Sequence, residues 1–175
     1  MPSHAYRDSE PRIDPTAFVA PGARIVGDVE LGPEASVWFN AVIRGDSAPV
    51  RIGTRTNIQD LAVLHTDRGK PCVVGDDCTV GHSAIVHGCL IGQGSLIGMG
   101  AIVMSGAVIG EESIVAAGAL VPEGRECEPR SLLAGAPVRL IRRLSDEELE
   151  RLIRPGVRNY LEYARAYRTA PPVSL

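Results

Sequence analysis

The sequence predicts an all-β solenoid of about six triangular coils, followed by a C-terminal α-helical segment. Three observations carry that expectation. An aliphatic residue recurs at every sixth position: Ile13, Val19, Ile25, Leu31, Val37 and Ile43, then Ile52, Ile58 and Leu64, then Val74, Val80 and Val86, then Ile91, Ile97, Val103, Ile109, Val115 and Val121. A small residue often stands two places earlier, as at Ala17, Ala23, Ala35, Ala41, Ala101, Ala107, Ser113 and Ala119. Glycine often follows directly, as at Gly32, Gly53, Gly75, Gly81, Gly92, Gly98 and Gly110. A six-residue period suits neither one long helix nor a doubly wound α/β sheet. It suits short strands joined by corners, three to a coil. The aliphatic side chain points inward and the small residue fills the tight space beside it. Corners call for glycine, asparagine or aspartate because the chain turns sharply there. Successive coils stack as parallel strands about 4.8 Å apart, each satisfying the backbone of the next.

Taken in order, residues 1–12 (MPSHAYRDSEPR) are an N-terminal extension without the apolar run of a signal peptide, and His4 there has no assigned role. Residues 13–124 carry the repeat. Its pattern resembles the left-handed parallel β-helices of hexapeptide-repeat proteins; the left hand is implied by that resemblance alone, since parallel crossovers are ordinarily right-handed. Cys72, Cys78 and Cys89 lie two places before Val74, Val80 and Ile91, so they take the inward small slot rather than a redox or metal role. These and Cys127 form no C-x-x-C pair, and a reducing, cytoplasmic setting is expected. Residues 125–175 are a linker and an α-helix packed on the solenoid. Ser145 with Glu148 three places later is a capping box, starting a helix near residue 146. Pro155-Gly156 is expected to break or kink it, after which Val157, Leu161 and Ala164 share one face. The closing TAPPVSL reads as a frayed tail. A chain of 175 residues with a net charge of −3 fits one domain and lacks a nucleic-acid footprint, and no apolar stretch is long enough to span a membrane.

The period fails three times. Three extra residues separate Ile43 from Ile52, four separate Leu64 from Val74, and one is missing between Val86 and Ile91. All three breaks lie near histidines, and functional residues tend to sit where a regular scaffold is interrupted. With Ile13 on face one, Ile43, Leu64 and Val86 all fall on face three. The residues after them, Arg44, His65 and His87, make one outward column. Two imidazoles one rung apart can share a metal. His82, two past Val80, falls on face two in a column with Asp60. A lone histidine on such a surface is ordinarily structural; two stacked in one column are harder to account for without a ligand. Packing of three subunits about a threefold axis would bring His82 of one chain to the His65–His87 pair of the next, with Arg44 and Asp60 as an ion pair across the interface. Arg44, Asp46, Asn57, Gln59 and Asp60 each have a plainer reading as solvated corner residues, Asn57 as a turn-former above all. Grouped as RGD and NIQD around the first histidine, they look like support for metal ligands.

The run R-G-D, then N-x-Q-D, then histidine five after that aspartate, then V-G-H-x-A-x-x-H-G-C-x-I-G, resembles the γ-class carbonic anhydrases. The resemblance covers nearly the whole chain, including G-A-P-V-R before the helix. It implies a homotrimer with metal sites at subunit interfaces and His65, His82 and His87 as ligands. It places the interface arginine and aspartates at Arg44, Asp46 and Asp60, the glutamine near metal-bound water at Gln59 with Asn57 beside it, and a helix tyrosine at Tyr160. Zinc is the expected metal, with Fe(II) or Co(II) also suited to imidazole. The implied reaction is reversible hydration of CO2 to bicarbonate, with metal-bound hydroxide as the nucleophile. One departure is that Ser47 follows Asp46, and the insertion after His65 reads TDRGKP. The glutamates of an acidic proton-shuttling loop are missing, with only Asp67 as a weak substitute. Two alternatives follow. One is a catalytically weak or inactive metal-binding assembly trimer. The other is a hexapeptide-repeat acyltransferase using one histidine base, for which neither insertion is long.

Overall fold

The computed structural model describes residues 3–169; most of the expected frayed tail lies outside them. The aliphatic positions form three stacked ladders. On face one Ile13 pairs with Leu31, Leu31 with Ile52, Ile52 with Val74, Val74 with Ile91 and Ile91 with Ile109. On face two Val19 pairs with Val37, then Ile58, Val80, Ile97 and Val115. On face three Ile25 pairs with Ile43, then Leu64, Val86, Val103 and Val121. Nearly every one of these side chains is buried, and together they make one continuous core with the alanines and cysteines of the small slot. Cys72, Cys78 and Cys89 sit in that slot and are buried and unpaired by disulfide.

The ladder does not end with the sixth coil. Cys127 takes an aliphatic position against Ile109, and Leu133 does so against Val115, which adds a seventh turn. Ser131–Ala134 then pairs antiparallel with Arg139–Arg143, which closes one sheet at that end. At the other end Ser3–His4 adds a short parallel strand beside Ile25 and Val26.

Glycine after the aliphatic residue has a different cause from the one expected. A side chain at Gly98 would stand 2.4 Å from the backbone nitrogen of Ala117 in the next coil. The residue is small because the coils approach closely, not because the chain needs a left-handed conformation there. The left-handed corners are instead filled by Glu34, Asn40, Arg55, Leu61, Asp77, Ser83, Glu112 and Arg130 as well as by glycines.

The expected break at Pro155-Gly156 does not occur. Ser145 caps the helix as predicted, with its side chain accepting from the Glu148 N–H and Glu148 accepting from the Ser145 N–H. The helix then passes through a wide π turn, Leu149–Ile153, and runs on as Arg154–Thr169. A π turn pairs residues five apart, and the change of register falls just ahead of Pro155, which has no N–H to offer. Gly156 is where the helix presses on the solenoid: a side chain there would stand 3.0 Å from the Thr79 hydroxyl. Val157 and Ala164 are buried, and Phe18, Trp38 and Tyr160 pack with Ala164 as an aromatic cluster.

Candidate metal centre

The three extra residues after Ile43 do not form a loop. They lengthen one strand, Val42–Ile52, that bends around the corner from face three to face one, with an irregular step opposite Gly27–Val29. Such a bulge re-aims side chains, and here it presents Asp46. The four extra residues after Leu64 form a tight turn in which Asp67 and Lys70 exchange backbone hydrogen bonds.

His65 and His87 are register partners on adjacent strands of face three. Their rings meet edge-on with centroids 5.0 Å apart, and His65 Nδ1 lies 3.1 Å from His87 Nε2. The outer nitrogens are also engaged. His65 Nε2 is 2.9 Å from Asp46 Oδ1, and His87 Nδ1 is 2.9 Å from Ser105 Oγ. A carboxylate only accepts, so the His65 proton sits on Nε2 and the lone pair on Nδ1 faces His87. Nitrogens at ~2.0–2.1 Å from one tetrahedral ion stand roughly 3.3 Å apart. The pair therefore fits two corners of an imidazole site.

Asp46 also takes an ion pair from Arg44. Burial pushes its carboxyl upward, but the hydrogen bonds from His65 and Arg44 outweigh that and hold it at about 2.

His82 stands apart on face two. Its Nδ1 is 2.8 Å from Asp60 Oδ2, and its Nε2 is 3.3 Å from the Tyr160 hydroxyl. Its side chain is 42% exposed against 19% for His65, so His82 is presented outward. Tyr160 packs edge-on against Trp38 at 5.0 Å, and burial, then the negative Asp60, pushes its hydroxyl up to about 12. Gln59 accepts from the His82 backbone N–H at 3.2 Å and donates to Asn57 Oδ1 at 3.1 Å. Asn57 in turn donates to Cys78 O and Thr79 Oγ1. Asn57 is thus a buried strand residue and not a corner residue. Among the described residues of one chain, no three His, Cys, Asp or Glu side chains gather as a metal site.

The surface between the two histidine columns is apolar. Val63, Ile85, Ile102 and Leu120 stack in register along the outside of face three. Met99, one rung on from His82, and Leu61 are each 58% exposed.

The chain is 41% identical over 165 residues to a carbonic anhydrase of Geobacillus kaustophilus, covering 94% of this chain and 90% of that one. It is 40% identical over 166 residues to gamma carbonic anhydrase 1, mitochondrial, of Arabidopsis thaliana, covering 91% of this chain.

The chain belongs to the γ-class carbonic anhydrase family.

This family member spans 60% of the plant protein's length. The hexapeptide signature described as "Bacterial transferase hexapeptide (six repeats)" matches residues 88–123. A solved Bacillus cereus structure described as an acetyltransferase superposes with a TM-score of 0.93 at 41% identity, covering 95% of this chain and 96% of that one. Membership of the γ class implies a metal cofactor. Ser105, which meets His87, was not singled out by the sequence. It lies two past Val103 in an unbroken hexad, and only the fold places it over the shortened step after His87.

Proposed function

We propose that three copies of the chain assemble about a threefold axis into a metal-dependent carbonic anhydrase that interconverts CO2 and bicarbonate. His65 and His87 of one protomer and His82 of the partner subunit would hold the ion. The observation that carries this reading is the convergence of His65 Nδ1 and His87 Nε2 at 3.1 Å, with the His65 lone pair aimed inward. Two further features support it: His82 is presented outward, and an apolar surface lies between the two columns, available to a neighbouring copy. Zinc is the first choice, with Fe(II) or Co(II) compatible with imidazole donors. A divalent ion held by these histidines would supply Lewis-acid activation of water, whose pKa such sites lower to about 7, for attack on CO2.

The chain's own groups orient the rest. Asp46 and Asp60 hold the outer nitrogens of His65 and His82. Asn57 fixes Gln59, which in turn holds the backbone of His82. Arg44, paired with Asp46 but 44% exposed, can also reach across an interface. Asp67, the weak substitute for a shuttle glutamate, is engaged by Ser105. Turnover slower than in enzymes with an acidic shuttle loop is therefore expected.

Elemental analysis of purified protein should give about one metal per chain, lost in His65→Ala and in His87→Ala. Stopped-flow CO2 hydration should follow metal content. Metal retained in both variants would overturn the ligand assignment. A loaded trimer with no hydration activity under any of the three metals would establish the alternative, a metal-binding assembly subunit.

A further inference from the structure

The turn after His65 has a task that the hexads do not explain. Its four extra residues bring Asp67 to Ser105, thirty-eight positions away, with Ser105 Oγ donating to Asp67 Oδ2 at 3.1 Å. The same hydroxyl lies 2.9 Å from His87 Nδ1. Space for this contact depends on Gly88, at φ +52: a side chain there would stand 3.1 Å from Ser105 Oγ and 3.3 Å from Lys70. The turn is held by backbone hydrogen bonds from Lys70 N–H to Asp67 O at 2.9 Å and from Asp67 N–H to Lys70 O at 3.3 Å. It is anchored by buried Thr66, whose hydroxyl accepts from the Ala48 N–H.

The direction of the chain of hydrogen bonds follows from what each group can do. A hydroxyl has one hydrogen and can accept with its lone pairs, while a carboxylate only accepts. Ser105 Oγ is set to donate to Asp67 Oδ2, and a hydroxyl that does so accepts from His87 Nδ1–H. His87 then has its lone pair on Nε2, the atom that faces His65 Nδ1. Asp46 already fixes the lone pair of His65 on the same side. In that tautomer two lone pairs face each other across 3.1 Å, an arrangement that a shared cation relieves.

We infer that Asp67 and Ser105 are positioning residues that fix the Nδ1–H tautomer of His87 and so keep Nε2 open for a metal. This rests on reading His87 as a ligand. Without Asp67 the Ser105 hydroxyl is released to donate to Nδ1, and the ring's proton then moves to Nε2, where it blocks the ligand position. Oriented metal-bound histidines lose roughly 10–100-fold in affinity when such a partner is removed.

Two measurements separate this inference from the metal reading. The first uses metal-free protein: long-range 1H–15N correlation of histidine-labelled chains reads each ring's tautomer directly. Wild type should show His87 as Nδ1–H, while Ser105→Ala and Asp67→Ala should shift it toward Nε2–H, with folding checked by circular dichroism. The second is zinc affinity by competition with a chromogenic chelator, expected about 10–100-fold weaker in both variants. An Nε2–H ring in the wild type, or an unchanged ring in Asp67→Ala, would overturn the relay. Failure of the wild type to bind zinc, with the tautomers behaving as expected, would sink the metal reading and leave the relay standing.

Discussion

Gly98 and Gly100 lie two residues apart and serve different ends. Gly98 sits where the backbone of the next coil leaves no room, whereas Gly100 holds φ +65 in open space. The rungs before Gly100 hold non-glycine residues in the same conformation, Leu61 at φ 62 and Ser83 at φ 59. Gly98→Ala should therefore cost about 2–3 kcal/mol through overpacking, and Gly100→Ala about 1 kcal/mol through the left-handed backbone. Urea unfolding of the two variants checks the order; a larger loss at Gly100 would contradict the close-approach account. The hexad pattern marks Gly98 as a glycine position but not why, because the distance between coils is not written in its neighbours. Cysteine reads more directly. All four thiols are buried and free, and burial pushes Cys78 up to about 12. A thiol reagent at pH 8 should label essentially none in the native protein and all four after denaturation.

The C-terminal helix is the element whose docking is easiest to follow, because the single tryptophan lies beneath it. Trp38 meets Tyr160 at 5.0 Å and Tyr167 at 5.5 Å, so its fluorescence reports whether the helix is seated. The capping box at Ser145 should be worth about 1 kcal/mol, seen as a lower unfolding midpoint in Ser145→Ala. Glu148 is held below the usual carboxylate range by the Arg142 hydrogen bond, then by the Ser145 N–H. With the folded value below the unfolded one, its contribution is complete above about pH 4.3 and fades as pH falls through the lower folded value. The gap in stability between wild type and Glu148→Gln should accordingly close on acidification, and a gap that widens would refute this role. The start of this helix was legible because capping is local: Ser145 and Glu148 suffice. Its continuity was not, since Pro155-Gly156 reads as a stop unless the π turn ahead of it and the Thr79 surface beneath it are known.

Across the whole molecule, strand register was the most legible feature. A six-residue count places Ile97 over Val115 and Val103 over Val121 without reference to anything distant, and the ladders follow it. The seventh turn was hidden because cysteine stands where an aliphatic residue was sought, at Cys127. Ser105, and its contact with Asp67, were hidden because their meeting depends on the path of a turn rather than on the count. At this scale the proposed trimer makes a prediction of its own. Ile102→Glu, on the exposed apolar column of face three, should give a folded monomer by light scattering that retains its β circular dichroism and binds metal weakly. A trimer with full metal content would place the interface elsewhere. The return of the helix has a wider consequence. Arg165 reaches Glu34 at 3.0 Å and Arg168 reaches the Thr16 carbonyl, so the last element of the chain clasps coils formed from the first. A stack of repeats with neighbour-only contacts can unfold from an end by fraying. Here the two ends are joined, so melting should be a single transition, and chains cut before residue 154 should lose it. The same clasp orders assembly during synthesis: coils can form as they emerge, but the first of them stays unlatched until Arg165 and Arg168 have followed.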